Sequence, residues 1–310
     1  MDKFSNVIIL LFLCALLIFG LYSMYLNLPI GTKIYKPFSG NVSYLPENVI
    51  NGSGEVVQFY PNMRYSDRII SYKIESACSE KKSNDIVMAF AAISEKTILS
   101  FYQSDDNPEI KVLCSDIAPL AEEKGHFVAG EGGPSEIINT TKFSVILSGK
   151  IALYRENKCD KPNVAIHEIL HALGFDHINS LKSILYPITS CDQQIDLWVV
   201  DHINKLYSID SLPDLAIDAL DASSEGRYLN FNINILNIGL AKSSSAELNL
   251  YSDNEKITNF SLGDVEIGEK RILMVENLRL PSREDNIMFV VESSSRELTL
   301  DNNRIEVSAV

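Results

Sequence analysis

The chain has 310 residues, of which 46% are hydrophobic, and a formal net charge of −14 at pH 7. This length and apolar content suffice for two globular domains. The acidic balance argues against a nucleic-acid partner, because such partners require a basic protein surface. We therefore expect no nucleic-acid-binding role.

The N-terminus carries an uncharged apolar run from Val7 to Leu28. A helix needs about 20 such residues to cross a bilayer core. Residues 1–28 are therefore predicted to be a signal anchor, a transmembrane segment that holds the residues after it outside the cytoplasm. The alternative is a signal peptide that is cleaved to release a secreted protein. The run is longer than the usual apolar region of signal peptides, and no small-residue cleavage site is evident.

Residues 29–62 show little hydrophobic periodicity and are interrupted by Pro29, Pro37, Pro46 and Pro61. Prolines and glycines mark turns and loops between regular elements. This segment is therefore predicted to be a stalk or an irregular lead-in.

Four cysteines lie outside the apolar run. An even number of cysteines in an exported chain indicates disulfides. Proximity in sequence favours Cys78 with Cys114 and Cys159 with Cys191. The sequence also allows the other pairings, or buried free thiols.

Residues 63–210 alternate between strand and helix patterns. Helices are predicted over 85–98, where apolar residues recur at helical spacing, and over 192–207. A glycine-rich stretch, 130–134, is predicted to separate the last two strands of this region. The predicted strands are residues 68–76, 99–103, 110–113, 125–128 and 143–154.

The central motif is His167-Glu168-Ile169-Leu170-His171-Ala172-Leu173-Gly174-Phe175-Asp176-His177, which reads H-E-x-x-H-x-x-G-x-x-H. Helical positions four apart share a face, so His167 and His171 can point at one ion. Gly174 can end the helix and let the chain turn back, which brings His177 in as a third ligand. Three protein ligands and one open position for water are typical of a catalytic zinc. The helix is expected to begin at Asn163 or Asp160.

Glu168 follows the first histidine and is the predicted general base. It can take a proton from a zinc-activated water and pass that proton to the leaving amine. This combination hydrolyses an amide bond without a covalent intermediate.

The motif resembles the signature of the metzincin clan of zinc endopeptidases, and most closely that of the matrixins. Ser183-Ile184-Leu185-Tyr186-Pro187 stands where matrixins carry their Met-turn, with Leu185 in the place of the methionine. Leucine is close to methionine in volume, and such exchanges usually cost less than about 1.5 kcal/mol. The resemblance therefore implies a retained site.

The same resemblance implies an α+β, metzincin-like catalytic domain over residues 63–210. Its Zn²⁺ would be bound by His167, His171 and His177. A peptide or protein substrate would lie antiparallel to an edge strand, which is expected within residues 130–147. A structural Ca²⁺, frequent in matrixins, is also implied without an assigned site. Its compositional candidates are Asp105, Asp106, Asn107 and Asp192.

Beyond a boundary at residues 211–214, short alternating runs are separated by turn-prone clusters. This pattern predicts an antiparallel, Ig-like β-sandwich over residues 213–310. The region loosely resembles adhesion-related (CARDB-like) domains of prokaryotic surface proteins. The resemblance implies a spacer, or a docking module with a surface partner. The predicted strands are 215–220, 228–236, 246–251, 271–280, 287–292 and 304–307.

Four further residues have weaker functional interpretations. His126 is expected to be structural or exposed, and His202 to pack in the core from the closing helix. Asp176 is expected to bond local backbone amides rather than orient a histidine. Tyr186 is expected to pack rather than to donate a hydrogen bond to an oxyanion.

These observations predict a membrane-anchored zinc metalloendopeptidase that acts outside the cytoplasm. The alternative is a catalytically silent surface adhesion or scaffold protein that retains the metzincin fold. Leu185 and the C-terminal sandwich motivate that alternative. The presence of His167, Glu168, His171 and His177 argues against it.

Overall fold

A computed structural model describes most of the chain. The described residues are 3–28, 31–37, 58–120, 127–156, 158–252 and 255–310.

The chain divides into two compact units. The central unit comprises Tyr44–Pro213 together with Ile238–Lys242, and the terminal unit comprises Met1–Ser43, Asp214–Asn237 and Ser243–Val310. The two ends of the chain thus belong to one unit, and the motif belongs to the other.

The terminal unit begins with α1, Lys3–Asn27, and β1, Thr32–Pro37. Val7–Tyr25 within α1 has a mean hydropathy of 2.8 and is long enough to cross a membrane. The predicted apolar span is therefore a continuous helix of suitable length and composition.

The central unit contains six strands and three helices among the described residues. These are β2 (Met63–Tyr65), β3 (Ile69–Ile74), α2 (Glu80–Lys96), β4 (Ser100–Gln103), β5 (Ile110–Cys114), β6 (Gly130–Asn139), β7 (Ser144–Leu153), α3 (Asn163–Ala172) and α4 (Leu197–Tyr207).

The sheet of the central unit is parallel except for β6. Strand β7 pairs with β2 and β5 along one side and with β6 along the other, and the order continues through β3 to β4. Strand β6 is therefore an antiparallel edge strand. It falls within residues 130–147, where the edge was expected.

The glycine-rich stretch, predicted to separate two strands, is itself part of strand β6. The strand predicted over residues 125–128 is wrong for its two described residues, because Phe127 and Val128 lie outside any strand. The reason for glycine in β6 is close packing against α3. A Cβ at Gly132 would overlap the carbonyl oxygen of Glu168, and a Cβ at Gly130 would lie 2.8 Å from Glu168 Cγ. Glycine is required there although it weakens a strand. Residues 125 and 126 lie outside the described residues.

Helix α2 begins five residues earlier than predicted, at Glu80 instead of residue 85. The side chain of Ser79 caps it by accepting a hydrogen bond from the Lys82 amide at 3.3 Å. The first turn is polar and gives no apolar periodicity, so the cap was the sequence signal that the periodicity analysis missed.

Both disulfides favoured by sequence proximity are formed. Cys78 bonds Cys114, and Cys159 bonds Cys191. The second bond joins the segment before α3 to the segment that follows Leu185.

The terminal unit is an antiparallel β-structure in which β1 pairs on both sides. Its sheet order is β11-β10-β13-β14-β1-β8-β9-β12. The remaining strands are β8 (Leu215–Glu225), β9 (Tyr228–Asn237), β10 (Ser243–Ser252), β11 (Glu255–Val265), β12 (Lys270–Arg279), β13 (Asn286–Glu292) and β14 (Arg304–Ala309).

Side chains from both halves of this sheet pack into one apolar cluster, as a sandwich requires. Phe231 of β9, for example, stacks edge-on against Phe289 of β13 with ring centroids 5.1 Å apart. Strand β11 was not predicted, because its residues alternate weakly between exposed and half-buried positions.

The prediction that residues 29–62 are irregular is wrong for β1. Pro29 and Pro37 in the sequence concealed a six-residue strand whose partners lie near residues 222 and 308. A domain of residues 213–310 alone would lack this strand.

Candidate active site

Helix α3 ends in the geometry that the motif required. Gly174 has φ = 96°, a value favoured by glycine. The Phe175 amide donates to Leu170 O at 3.1 Å, and the Gly174 amide donates to His171 O at 2.9 Å. These two bonds form a Schellman motif, which reverses the chain directly after the helix.

The reversal brings the three imidazoles together. The Nε2 atoms of His167 and His171 are 2.9 Å apart, those of His171 and His177 are 3.1 Å apart, and those of His177 and His167 are 3.3 Å apart. Among the described residues, these three histidines are the group of His, Cys, Asp or Glu side chains that could hold a metal ion.

The outer nitrogens of two rings are tied to the backbone. His167 Nδ1 donates to Ile184 O at 2.6 Å, and His171 Nδ1 donates to Phe175 O at 2.7 Å. A proton on Nδ1 leaves Nε2 unprotonated, so these two lone pairs face the shared centre. Burial lowers the pKa of all three rings, that of His167 to about 3, which keeps them neutral at neutral pH.

The predicted turn lies beneath the histidines and is fully buried at Leu185. The carbonyl oxygen of Ile184, one residue earlier, accepts the hydrogen bond from His167 Nδ1. Ser183 Oγ accepts from the Leu185 amide at 3.0 Å and donates to Asp196 Oδ2 at 2.5 Å. Leucine therefore occupies the expected apolar floor, and Asp196, which sequence analysis did not single out, holds the turn in place.

Glu168 is buried beside the edge strand, next to Gly130. Burial raises the pKa of its carboxyl to about 8, and the charge of Glu131 raises it as well. A cation at the histidines would oppose both effects, because it favours the carboxylate.

A cavity of about 730 Å³ opens over these groups. Glu131 of β6 is a lining residue that sequence analysis missed, and its Oε2 accepts from Tyr154 OH at 2.7 Å. Glu131 was missed because it lies on the glycine-rich segment that the sequence pattern assigned to a turn. The cavity is lined by the three histidines, Glu168, residues 127–132, Phe59, Asp176 and residues 186–189.

The structure assigns positions to three of the four residues that had weaker functional interpretations. Asp176 Oδ1 accepts from the His177 amide at 2.7 Å, so its predicted local backbone role is confirmed. His202 is buried on α4, also as predicted, with Nε2 3.1 Å from Gln58 Oε1. Tyr186 is half-buried and lines the cavity. His126 lies outside the described residues.

The aspartates considered for calcium do not converge in the described chain. Asp105 pairs with Lys73 at 3.5 Å, and Asp192 pairs with Lys182. A calcium site therefore receives no support.

A family profile for Matrixin matches residues 62–208. Residues 62–208 form a matrixin-like metzincin domain. This matrixin-like domain has a zinc metalloprotease fold, and a matrixin fold implies zinc. Comparison with curated protein sequences returns no match.

Two solved structures are similar to parts of the chain. High choriolytic enzyme 1, a hatching-enzyme zinc protease from Oryzias latipes, is 17% identical with a TM-score of 0.31 and covers 46% of this chain and 90% of its own. A domain described as part of a cell surface protein from Methanosarcina acetivorans is 15% identical with a TM-score of 0.26 and covers 32% of this chain and 92% of its own.

Proposed function

We propose that this protein is a zinc-dependent endopeptidase that acts outside the cytoplasm while α1 holds it in the membrane. The observation that carries the proposal is the convergence of three Nε2 atoms within 3.3 Å of one another. Neutral lone pairs at this separation repel unless a cation lies among them.

The donor set fits zinc. Two nitrogens bound to zinc at 2.0–2.1 Å in tetrahedral geometry are about 3.3 Å apart. The observed separations of 2.9 to 3.3 Å approach this value. His167, His171 and His177 would therefore hold the ion, and the cavity above them leaves a side open for water and substrate. Bound zinc would supply Lewis acidity, which acidifies a water and polarises a carbonyl.

Glu168 is the proposed general base and acid. Its carboxylate lies in the same cavity as the three rings, so it can take a proton from the attacking water. It can then donate that proton to the amine that leaves. The burial of Glu168 keeps its carboxyl out of bulk solvent, which favours such a proton return.

The edge strand β6 is the proposed binding site for the substrate backbone. Its outer side has no strand partner among the described residues, and Gly130, Glu131 and Gly132 line the cavity. An extended peptide that pairs with this edge would pass over the three histidines. Main-chain hydrogen bonds would hold it, as in other cases of strand addition.

The location rests on two features. Helix α1 has the length and hydropathy of a membrane span, and two disulfides are formed in the matrixin-like domain. Disulfides persist in oxidising compartments. An anchored enzyme with its catalytic domain outside the cytoplasm accounts for both.

The test compares the full chain, purified in detergent, with its Glu168→Gln variant. We expect kcat/KM on a peptide library to fall by about 10² or more, as for the loss of a general base. Zinc content, measured by atomic absorption, should stay the same because Glu168 is not a ligand. Equal rates for parent and variant would refute the mechanism. Full zinc occupancy in a parent protein that cleaves no peptide would favour the silent scaffold instead.

A further inference from the structure

The strand that follows the membrane helix is an internal strand of the terminal sheet. Residues Thr32 to Tyr35 of β1 pair with β8, and residues Tyr35 to Pro37 pair with β14. Two further backbone bonds extend this pairing, from the Gly226 amide to Gly31 O at 3.0 Å and from the Val310 amide to Ile34 O at 2.9 Å. Removing β1 would open two strand edges at once.

Tyr35 fixes β1 in the core. Its side chain is 5% exposed, and its hydroxyl donates to Glu284 O at 2.8 Å. Lys33 Nζ adds an ion pair with Asp285 Oδ1 at 2.5 Å. A strand held by two ladders and a buried aromatic ring resembles the donated strands that complete incomplete sheets in other proteins.

The sheet begins close to the end of α1. Asn27 and Thr32 are five residue steps apart, which span at most about 18 Å. Arg283 stacks over the Tyr25 ring at 4.4 Å and donates to the Tyr25 hydroxyl at 3.0 Å. Arg279 donates to Asn27 Oδ1 at 2.7 Å. The β12–β13 corner therefore contacts the last turn of the apolar helix.

The matrixin-like domain is inserted in sequence between β1 and β8, which are neighbours in this sheet. Both connections to that domain therefore start from one sheet. Because β8 runs antiparallel to β1, Glu225 lies opposite Thr32 near α1, and Leu215 begins β8 at the other end. The eleven residues of β8 extend on the order of 35 Å.

We propose that the terminal unit is a membrane-proximal clasp that binds β1 and so keeps the enzyme on the membrane independently of the chain between β1 and the matrixin-like domain. The proposal rests on the proposed anchoring by α1. It gives the C-terminal strands a function: they retain the protease at the surface even when the first connection is cut.

The test uses the full chain with a recognition site for a sequence-specific protease inserted between residues 48 and 49 and an affinity tag after residue 310. Isolated membranes are cut to completion, as judged by gel electrophoresis, and then sedimented. We expect the fragment that carries the matrixin-like domain to remain in the pellet and to leave only in denaturant. Its appearance in the supernatant after cutting would overturn the proposal.

Two alanine variants separate the clasp from a general effect of mutation. Tyr35→Ala removes the buried ring and should raise the rate of release after cutting about tenfold or more. Ile34→Ala, the matched control, removes an exposed apolar side chain of the same strand, 58% exposed, and should not change the rate. Equal release from both variants would contradict a role for the buried ring. If Tyr35→Ala does not fold, retention of the unmutated cut chain still decides.

Failure of the clasp and failure of the anchor give different results. The cut chain is also dissolved in detergent and purified on the C-terminal tag, where the fragment that contains β1 should co-purify. An uncut chain found in the soluble fraction would refute the anchoring. Loss of the β1 fragment in detergent, with the uncut chain in the membrane, would refute the clasp alone.

Discussion

At the scale of single residues, a missing side chain sets the distance between the active-site helix and the edge strand. Gly132 of β6 lies against the backbone of Glu168, where an added Cβ would overlap the carbonyl oxygen. Gly132→Ala should therefore push α3 away from β6. We expect a loss of about 1–3 kcal/mol in the free energy of unfolding, typical of overpacking, with a fall in peptidase activity. Thermal unfolding and kcat/KM measure the two effects.

Gly133 supplies the control for this prediction. It is the next residue of the same strand, and a Cβ there would meet nothing within 4 Å. Gly133→Ala should leave the melting temperature and the activity close to those of the parent. A Gly132→Ala protein as stable and active as Gly133→Ala would show that the helix does not need this close approach.

His202 should make the stability of the fold depend on pH. Burial, and to a smaller extent Lys205, lowers the pKa of its ring to about 4 in the folded protein. The unfolded chain, with a pKa near 6.5, binds the proton first as pH falls. This contribution to stability is therefore complete above about pH 6.5 and is lost as the pH falls toward 4. Solvent screening limits the loss to roughly 2 kcal/mol.

The prediction for His202 is measured as a difference, because other buried histidines also titrate. Denaturant unfolding of the parent and of His202→Phe is compared between pH 7 and pH 4.5. The variant should lose less stability over this range. Parallel curves for the two proteins would refute the assignment.

At the scale of elements, the turn over residues 183–187 supports the histidines through packing and one carbonyl. Leu185 is fully buried within the apolar cluster of the matrixin-like domain. Leu185→Met, which restores the residue typical of matrixins, should change stability by less than about 1.5 kcal/mol. Leu185→Ala should cost about 2–5 kcal/mol because it leaves a cavity. Chemical denaturation measures both.

The peptidase activity of Leu185→Met separates the two candidate functions, active protease and silent scaffold. A protease whose turn has adapted to leucine should gain little from Leu185→Met. A gain of about 10² or more in kcat/KM would mean that leucine impairs the site, as the silent-scaffold hypothesis holds. Zinc content measured in parallel identifies any change that comes from lost metal.

At the scale of the whole molecule, the two ends of the chain build one unit, and the matrixin-like domain is inserted between them in sequence. A chain that starts at residue 45 lacks β1 and should leave the terminal sheet open between β8 and β14. We expect its terminal unit to unfold at a lower temperature or to aggregate through the open edges. The control is a chain that starts at residue 31, which lacks α1 and keeps β1. Identical calorimetric transitions for the two chains would contradict the prediction.

The local chemistry of the site was readable from the sequence. The spacing of His167 and His171 defines one face of a helix, and Gly174 permits the chain reversal that brings in His177. These are short-range constraints, because they depend on backbone geometry within one or two helical turns. The apolar helix α1 was equally local in character, whereas the disulfide partners, 36 and 32 residues apart, were favoured only by their order in the sequence.

Only the tertiary structure decided the features that join distant segments. The carbonyls of Ile184 and Phe175, which orient two imidazoles, leave no trace in residue type. The sequence pattern of β6 predicts a turn because its glycines are required by the close packing of α3. The sequence pattern of β1 predicts a stalk because its partner strands lie nearly 200 or more residues away along the chain. The local sequence specifies the backbone geometry of a residue and of its neighbours within one or two helical turns. Which strand lies beside it is set by the packing of the complete core.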